Sequence, residues 1–163
     1  MPTTNAAIAD PLALERQVCF ALAVTNRAVL AVYRPLLEPL GLTHPQYLVM
    51  LALWDQQKAS GELRSPLSVK QIATALQMES ATLSPMLKRM EALGFITRDR
   101  SAADERATDI ALTADGTALR ERALEIPPAV VARLGVEMAE LEQLHQVLVR
   151  INSAALAAGA LTL

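Results

Sequence analysis

The sequence predicts a mainly α fold carrying one small β-hairpin, and three observations support that expectation. Apolar residues fill 52% of the 163 positions and are chiefly Ala and Leu, with aromatics at 3%, a balance that favours helix over sheet. Apolar positions recur at helical spacing along most of the chain. Only two stretches, Phe95 to Arg98 and Thr108 to Leu112, alternate with the period of a strand, and a polar stretch separates them.

Taken in order, Asp10-Pro11 offers an N-cap and a first-turn proline, and Leu12, Leu14, Val18, Leu22, Val29 and Val32 then continue a first helix to about Arg34. Pro35, Pro39 and Gly41 break it, leaving Leu36 to Leu42 as a turn or short kinked extension. Thr43-x-x-Gln46 is a capping-box pattern before a short buried helix over Tyr47 to Trp54, followed by a polar loop over 55–67. Ser68-x-x-Gln71 caps a third helix through Leu76. Ser80 or Ser84 caps a fourth, ended near Leu93 by Gly94, and Pro85 leaves the choice between the two serines open. After the hairpin, Thr113 begins another helix, Pro127-Pro128 kinks or restarts it, and Met138, Leu141, Leu144, Leu148 and Ile151 mark a last amphipathic helix.

Helix, tight connection, helix and basic hairpin over residues 66–113 is the order of a winged helix-turn-helix, which inserts one helix in a DNA major groove with a hairpin beside it. The net charge of −2 does not suggest a nucleic-acid partner, but the cations are concentrated where such a fold needs them. In the fourth helix Ser80, Thr82, Ser84, Lys88 and Arg89 form the polar surface opposite Leu83, Met86, Leu87 and Met90. Hydroxyls there suit base edges or phosphates, and the two cations suit phosphate oxygens. Arg98, Arg100 and Arg106 belong to the hairpin, where an arginine can enter the minor groove, and Asp104 is expected to hold Arg106 through a bidentate pair.

The first and last helices carry more apolar surface than a small lobe can cover, so a two-fold homodimer is expected, presenting two reading helices to a double-stranded DNA operator about 34–36 Å apart. Arg27 and Arg34 interrupt the longest apolar stretch, so no membrane span is expected. Met1 to Thr4 lack an export signal, so the expected compartment is the reducing cytoplasm.

Cys19 is the chain's single cysteine. A first helix beginning near Pro11 would place it about nine residues inside, beyond reach of the helix-end field. Tyr33 lies fourteen residues on, about 21 Å along a continuous helix, so it can meet Cys19 only from a second copy. His44 and Tyr47 are further candidate neighbours. A buried helical cysteine is, taken alone, more often a small hydrophobe than a sensor. One Cys and two His residues suggest no metal site, and neither a phosphate-binding glycine loop nor a catalytic constellation stands out, so no cofactor and no enzyme activity are expected. A thiol-dependent peroxidase using Cys19 and His44 would leave the hairpin unexplained. A small apolar or aromatic effector, with Cys19 structural, is the other alternative.

These residues resemble the MarR family of dimeric winged-helix transcription factors and, within it, the single-cysteine, organic-hydroperoxide-sensing, OhrR-like branch. The family pattern is the Ser68 to Leu76 helix, the Ser80 to Gly94 helix, and Asp104-Glu105-Arg106 with Leu112-Thr113 following. The branch pattern is Gln17 to Leu22 around Cys19, Tyr33-Arg34-Pro35-Leu36-Leu37, Pro45 through Trp54, and Leu83 to Glu91, over about Leu14 to Pro127. The resemblance implies a repressor that releases its operator when an organic hydroperoxide oxidises Cys19, with the thiolate held by tyrosines of the partner. Tyr33 occupies one such position, His44 stands at another, and Ala23 replaces a third tyrosine. Without a second cysteine, the oxidised sulfur would need a small external thiol or further oxidation to complete the switch. The expected organisation is one MarR-like domain over 1–163, with dimerisation helices at 11–42 and 117–160 around a DNA-binding lobe at 45–113.

Overall fold

A computed structural model describes residues 10–62 and 64–160; the expectations drawn from Met1 to Thr4 lie outside the described residues. Asp10 caps no helix. Its Oδ1 accepts from the Leu12 N–H at 2.9 Å, making a local turn before a 3₁₀ turn at Leu14–Arg16. Gln17 then folds its Nε2 back onto the carbonyls of Pro11 (2.8 Å) and Ala13 (3.2 Å), which stabilises the break, and α1 starts only at Val18. It runs over Val18–Leu37, through Pro35 rather than stopping at Arg34. Pro35 removes the N–H that Ala31 would accept, but both residues are exposed, so water can replace that bond.

A 3₁₀ turn at Glu38–Leu40 and left-handed Gly41 (φ 71°) lead into α2, His44–Ser60. Its box forms as expected, with Thr43 N–H donating to Gln46 Oε1 at 2.9 Å. The helix is longer than expected, because the polar run after Trp54 stays helical until Gly61 (φ 69°) takes the left-handed C-cap. The expected 55–67 loop shrinks accordingly.

β1, Leu67–Ser68, is too short to have shown an alternation, and it leads directly into α3, Val69–Leu76. Here Ser68 N–H donates to Gln71 Oε1 at 2.8 Å, and Gln71 N–H donates to Ser68 Oγ at 3.1 Å. α4, Ser80–Ala92, has Glu79 at its N-cap position, with no side-chain capping bond, and neither serine caps it. Ser84 lies inside the helix, its hydroxyl donating to the Ser80 carbonyl at 3.0 Å, and Pro85 lies inside too. Gly94 (φ 81°) ends the helix as expected.

β2, Ile96–Arg100, and β3, Thr108–Leu112, pair antiparallel with Arg98 opposite Ile110 and Arg100 opposite Thr108. β1 adds to the other side of β3, giving the order β1-β3-β2, a strand more than the hairpin expected. Thr113 caps α5, Ala114–Ala123; Pro127-Pro128 open a separate α6, Ile126–Leu134; and α7 spans Met138–Ala157.

The core sits inside the lobe. Val49, Met50, Ile72, Leu83, Leu87, Met90 and Ile110 are each 0% exposed, joined by Leu37 from the end of α1 and by Leu119, Ala123 and Ile126 from α5 and α6. Before Leu37, no residue of α1 is buried, and none of α7 is. Val18, Phe20, Leu22 and Val24 of α1 and Leu144, Val147, Val149 and Ile151 of α7 stand in solvent. Despite Arg27 and Arg34, the 23 residues Val18–Leu40 have a mean hydropathy of 1.2, long and apolar enough to cross a membrane by length and composition alone. Arg27 and Arg34 lie within that stretch without bringing its mean hydropathy below 1.2.

Candidate nucleic-acid interface and thiol site

α4 has one face sunk in the core through Leu83, Leu87 and Met90, and the other open. Ser80, Thr82, Lys88 and Arg89 are exposed on it and Ser84 is half-buried, so the five residues singled out for DNA contact lie on the helix's outer surface. Its first turn also exposes Glu79. A carboxylate is a poor neighbour for phosphate, but it can accept from the amino group of cytosine.

The hairpin loop over 101–107 is closed by Ser101 N–H donating to the Ala107 carbonyl at 3.0 Å and by Ala107 N–H donating to the Asp104 carbonyl at 2.9 Å. Asp104 does not pair with the Arg106 guanidinium as expected. Its Oδ1 accepts from the Arg106 backbone N–H at 2.9 Å, because a short side chain two residues upstream reaches the main chain first. Asp104 therefore shapes the tip, and the exposed Arg106 guanidinium projects from it.

Arg98 is a second correction. It shares the strand face of buried Ile96, its side chain is only 22% exposed, and its guanidinium lies 3.6 Å from Glu91 at the end of α4. It braces the hairpin against the helix, whereas Arg100 and Arg106 are exposed. Arg64 pairs with Asp99 across the outer side of the sheet, a contact between residues 35 apart that no local pattern could reveal.

The four residues singled out for thiol chemistry separate into two places. Tyr33 near the end of α1 meets His44 and Tyr47 at the start of α2, with ring centroids 4.9 Å apart for Tyr33 and His44, edge to face, and 6.1 Å for Tyr33 and Tyr47. Burial pushes the Tyr33 phenol up and lowers His44, so the imidazole favours its neutral form. Tyr47, also pushed up by burial and further by the neighbouring Tyr33, is 4% exposed. Thr43 and the capping box hold the first turn of α2 in place, which fixes His44 beside Tyr33.

Cys19 is elsewhere. It is exposed, on the same continuous helix as Tyr33 and about 21 Å before it, so its own chain cannot bring the sulfur to the rings. Because α1 starts at Val18, Cys19 is the helix's second residue, in the first turn where backbone N–H groups lack partners and the helix end is positive. The sequence-based expectation that it lay deep inside the helix is thereby corrected; Gln17, whose side chain turns back on Pro11 and Ala13, is the reason. Exposure also removes the bland explanation of a buried small hydrophobe, at least within one copy.

Comparison with known proteins gives consistent matches. Residues 31–122, more than half of the chain, match the family described as transcriptional regulator SarA/Rot. The organic hydroperoxide resistance transcriptional regulator of Bacillus subtilis (strain 168) is 42% identical over 139 residues, which cover 85% of this chain and 89% of that protein. The HTH-type transcriptional regulator MgrA of Staphylococcus aureus is 32% identical over 145 residues, covering 88% and 93%. Among solved structures, reduced AbfR bound to DNA, from Staphylococcus epidermidis, is 29% identical with a TM-score of 0.70, covering 88% of this chain and 94% of that one.

Proposed function

The chain belongs to the MarR/SarA family of winged-helix DNA-binding transcriptional regulators, close to the organic hydroperoxide resistance regulators, and on that premise we propose that it is a cytoplasmic homodimeric repressor released from its operator when Cys19 is oxidised. The observation that carries the reading is the separation of Cys19 from the Tyr33, His44 and Tyr47 cluster, about 21 Å apart on α1 within one chain. Two copies whose first helices cross in opposite directions bring each sulfur to the other copy's rings. The same crossing covers Val18, Phe20, Leu22 and Val24 with the exposed residues of α7, which accounts for the apolar stretch without a membrane.

The chemistry follows. The Cys19 thiolate attacks one oxygen of an organic hydroperoxide, the O–O bond breaks, and the sulfur gives up two electrons to become a sulfenic acid while the alcohol leaves. A phenol from Tyr33 and a donor nitrogen from His44 can hydrogen-bond the thiolate and the departing oxygen. A small thiol then condenses with the sulfenic acid, releasing water and leaving a mixed disulfide whose bulk the cluster must accommodate by moving. The cycle is stoichiometric signalling, not turnover, so the protein is a regulator rather than an enzyme.

A second reading has one observation in its favour. Tyr47, Leu51, Trp54, Asp55, Lys58 and Arg120 border a pocket of about 160 Å³ between α2 and α5, whose aromatic wall and charged rim would take only a small effector, an aromatic one among them. Cumene hydroperoxide added to the operator complex discriminates the two. Wild type is expected to dissociate and Cys19→Ser to stay bound; equal release by both proteins overturns the redox reading and favours the ligand.

A further inference from the structure

The end of α4, the start of β2, the first turn of α5 and the middle of α2 meet at one junction, buried at Trp54 and Gly116 and half-buried at Gly94, Phe95 and Thr113. Trp54, the chain's one tryptophan and 4% exposed, donates its Nε1–H to the Gly116 carbonyl at 2.9 Å. Gly116 N–H donates to Thr113 Oγ1 at 3.0 Å, and that hydroxyl donates to the Gly94 carbonyl at 2.6 Å. Thr113 N–H donates to the Phe95 carbonyl at 3.1 Å. Gly94 and Phe95 are the residues where the reading helix ends and the wing begins.

Glycine at 116 is what allows this approach. A Cβ there would stand 2.0 Å from the Phe95 carbonyl oxygen, so any side chain would force the α4 to β2 connection off α5. A second tie, from Gln57 Nε2 to Thr117 Oγ1 at 3.2 Å, joins α2 and α5 one turn further along. The other end of α2 carries His44 and Tyr47 against Tyr33.

We propose that this junction couples the thiol site to DNA reading, with Trp54 and Thr113 as the positioning residues. The inference rests on the redox reading given above. A buried donor or acceptor left unpaired is more costly than a small rigid-body rotation, so a displacement of the His44 and Tyr47 end of α2 is passed on through the junction instead of being absorbed by it. α2 acts as a lever about 15 Å long between His44 and Trp54, and the load it moves is the end of α4 together with the root of the wing.

The test measures operator affinity before and after peroxide treatment for wild type, Thr113→Val, Thr113→Ser and Trp54→Phe, alongside thermal melting of each. Thr113→Val keeps the shape but deletes both hydroxyl bonds; Thr113→Ser restores them; Trp54→Phe keeps an aromatic ring without the N–H. The ratio of oxidised to reduced dissociation constants is expected to shrink at least about fivefold in Thr113→Val and Trp54→Phe and to return to the wild-type value in Thr113→Ser, with all reduced proteins folded and DNA-bound. A full-size ratio in both Thr113→Val and Trp54→Phe overturns the coupling while leaving the redox reading intact. A wild-type protein that does not respond to peroxide overturns both.

Discussion

The lobe from α2 to β3 and the two helices outside it are built from similar residues and reach opposite states. In the lobe, Leu83, Leu87 and Met90 of α4 are 0% exposed, each covered by other elements of the same chain. On α7, Leu144, Val147, Val149 and Ile151 are between 40% and 46% exposed, and Val18 on α1 is 65% exposed. Apolar side chains favour burial by about 25 cal/mol per Å² wherever they are, so the difference is one of available surface, not of composition. The lobe is complete in one copy; the helices that frame it are left uncovered, as the proposed dimer requires. Cys19 lies on the incomplete part and its proposed partners lie at the edge of the complete one.

The widest contrast is in stability. Leu87→Ala removes a fully covered side chain and is expected to cost about 2–5 kcal/mol, read as a clear fall in melting temperature, whereas Leu144→Ala on α7 is expected to leave the melting of a dilute monomer nearly unchanged. A similar loss in both would mean that α7 is covered within one copy.

Gly116→Ala tests the lobe's internal fit. In an ordinary helix interior the change stabilises by about 0.5–1 kcal/mol, but here the added carbon meets the Phe95 carbonyl, so the sign is expected to reverse and exceed that amount. Chemical denaturation of the two proteins reads the sign directly.

On the other side of the comparison, Val24→Asp or Val147→Asp places a charge on the uncovered faces, and dimer dissociation followed by sedimentation is expected to be favoured at least about tenfold, with operator affinity falling in step. An unchanged association constant for both variants would remove α1 and α7 from the interface.

Within the hairpin, Arg106→Ala is expected to weaken binding at every DNA sequence and to flatten the dependence of log affinity on log salt by about one unit, while Arg98→Ala, already engaged with Glu91, changes the slope less. The smallest effect concerns His44. Burial lowers it below 6.5, so the folded state binds its proton less readily than the unfolded chain and stability falls as pH drops through 6.5. His44→Gln is expected to flatten that part of the stability profile, measured by urea unfolding between pH 5 and 8.

Much of this molecule is legible in its residues because local chemistry decides it. Ser68 and Gln71 form their reciprocal cap, Gly94 takes the left-handed turn, Thr113 starts α5, and the alternation of Thr108 to Leu112 gives β3 as expected. The errors arise where a local signal competes with another contact. Asp10-Pro11 looks like a helix start, but Gln17 holds a turn there instead and moves Cys19 to the first turn of α1. Asp104 is close enough to the Arg106 backbone to bind it before the guanidinium. Arg98 looks like a DNA contact until the register places it on the face of Ile96, beside Glu91. The meeting of Tyr33 with His44 depends on how α1 turns into α2, and the junction at Gly116 depends on residues 62 apart, which no periodicity records.

A mixed dimer provides the most direct measurement of whether the thiol reacts across two copies. One subunit carries Cys19→Ser; the other keeps Cys19 but carries Tyr33→Phe and His44→Phe. Within either subunit the thiol and the intact cluster never coexist, yet one complete pair forms between them. The rate of sulfenic acid formation at Cys19 with cumene hydroperoxide, per thiol, is expected to match wild type. A rate equal to that of the Tyr33→Phe, His44→Phe homodimer would contradict reaction across the dimer.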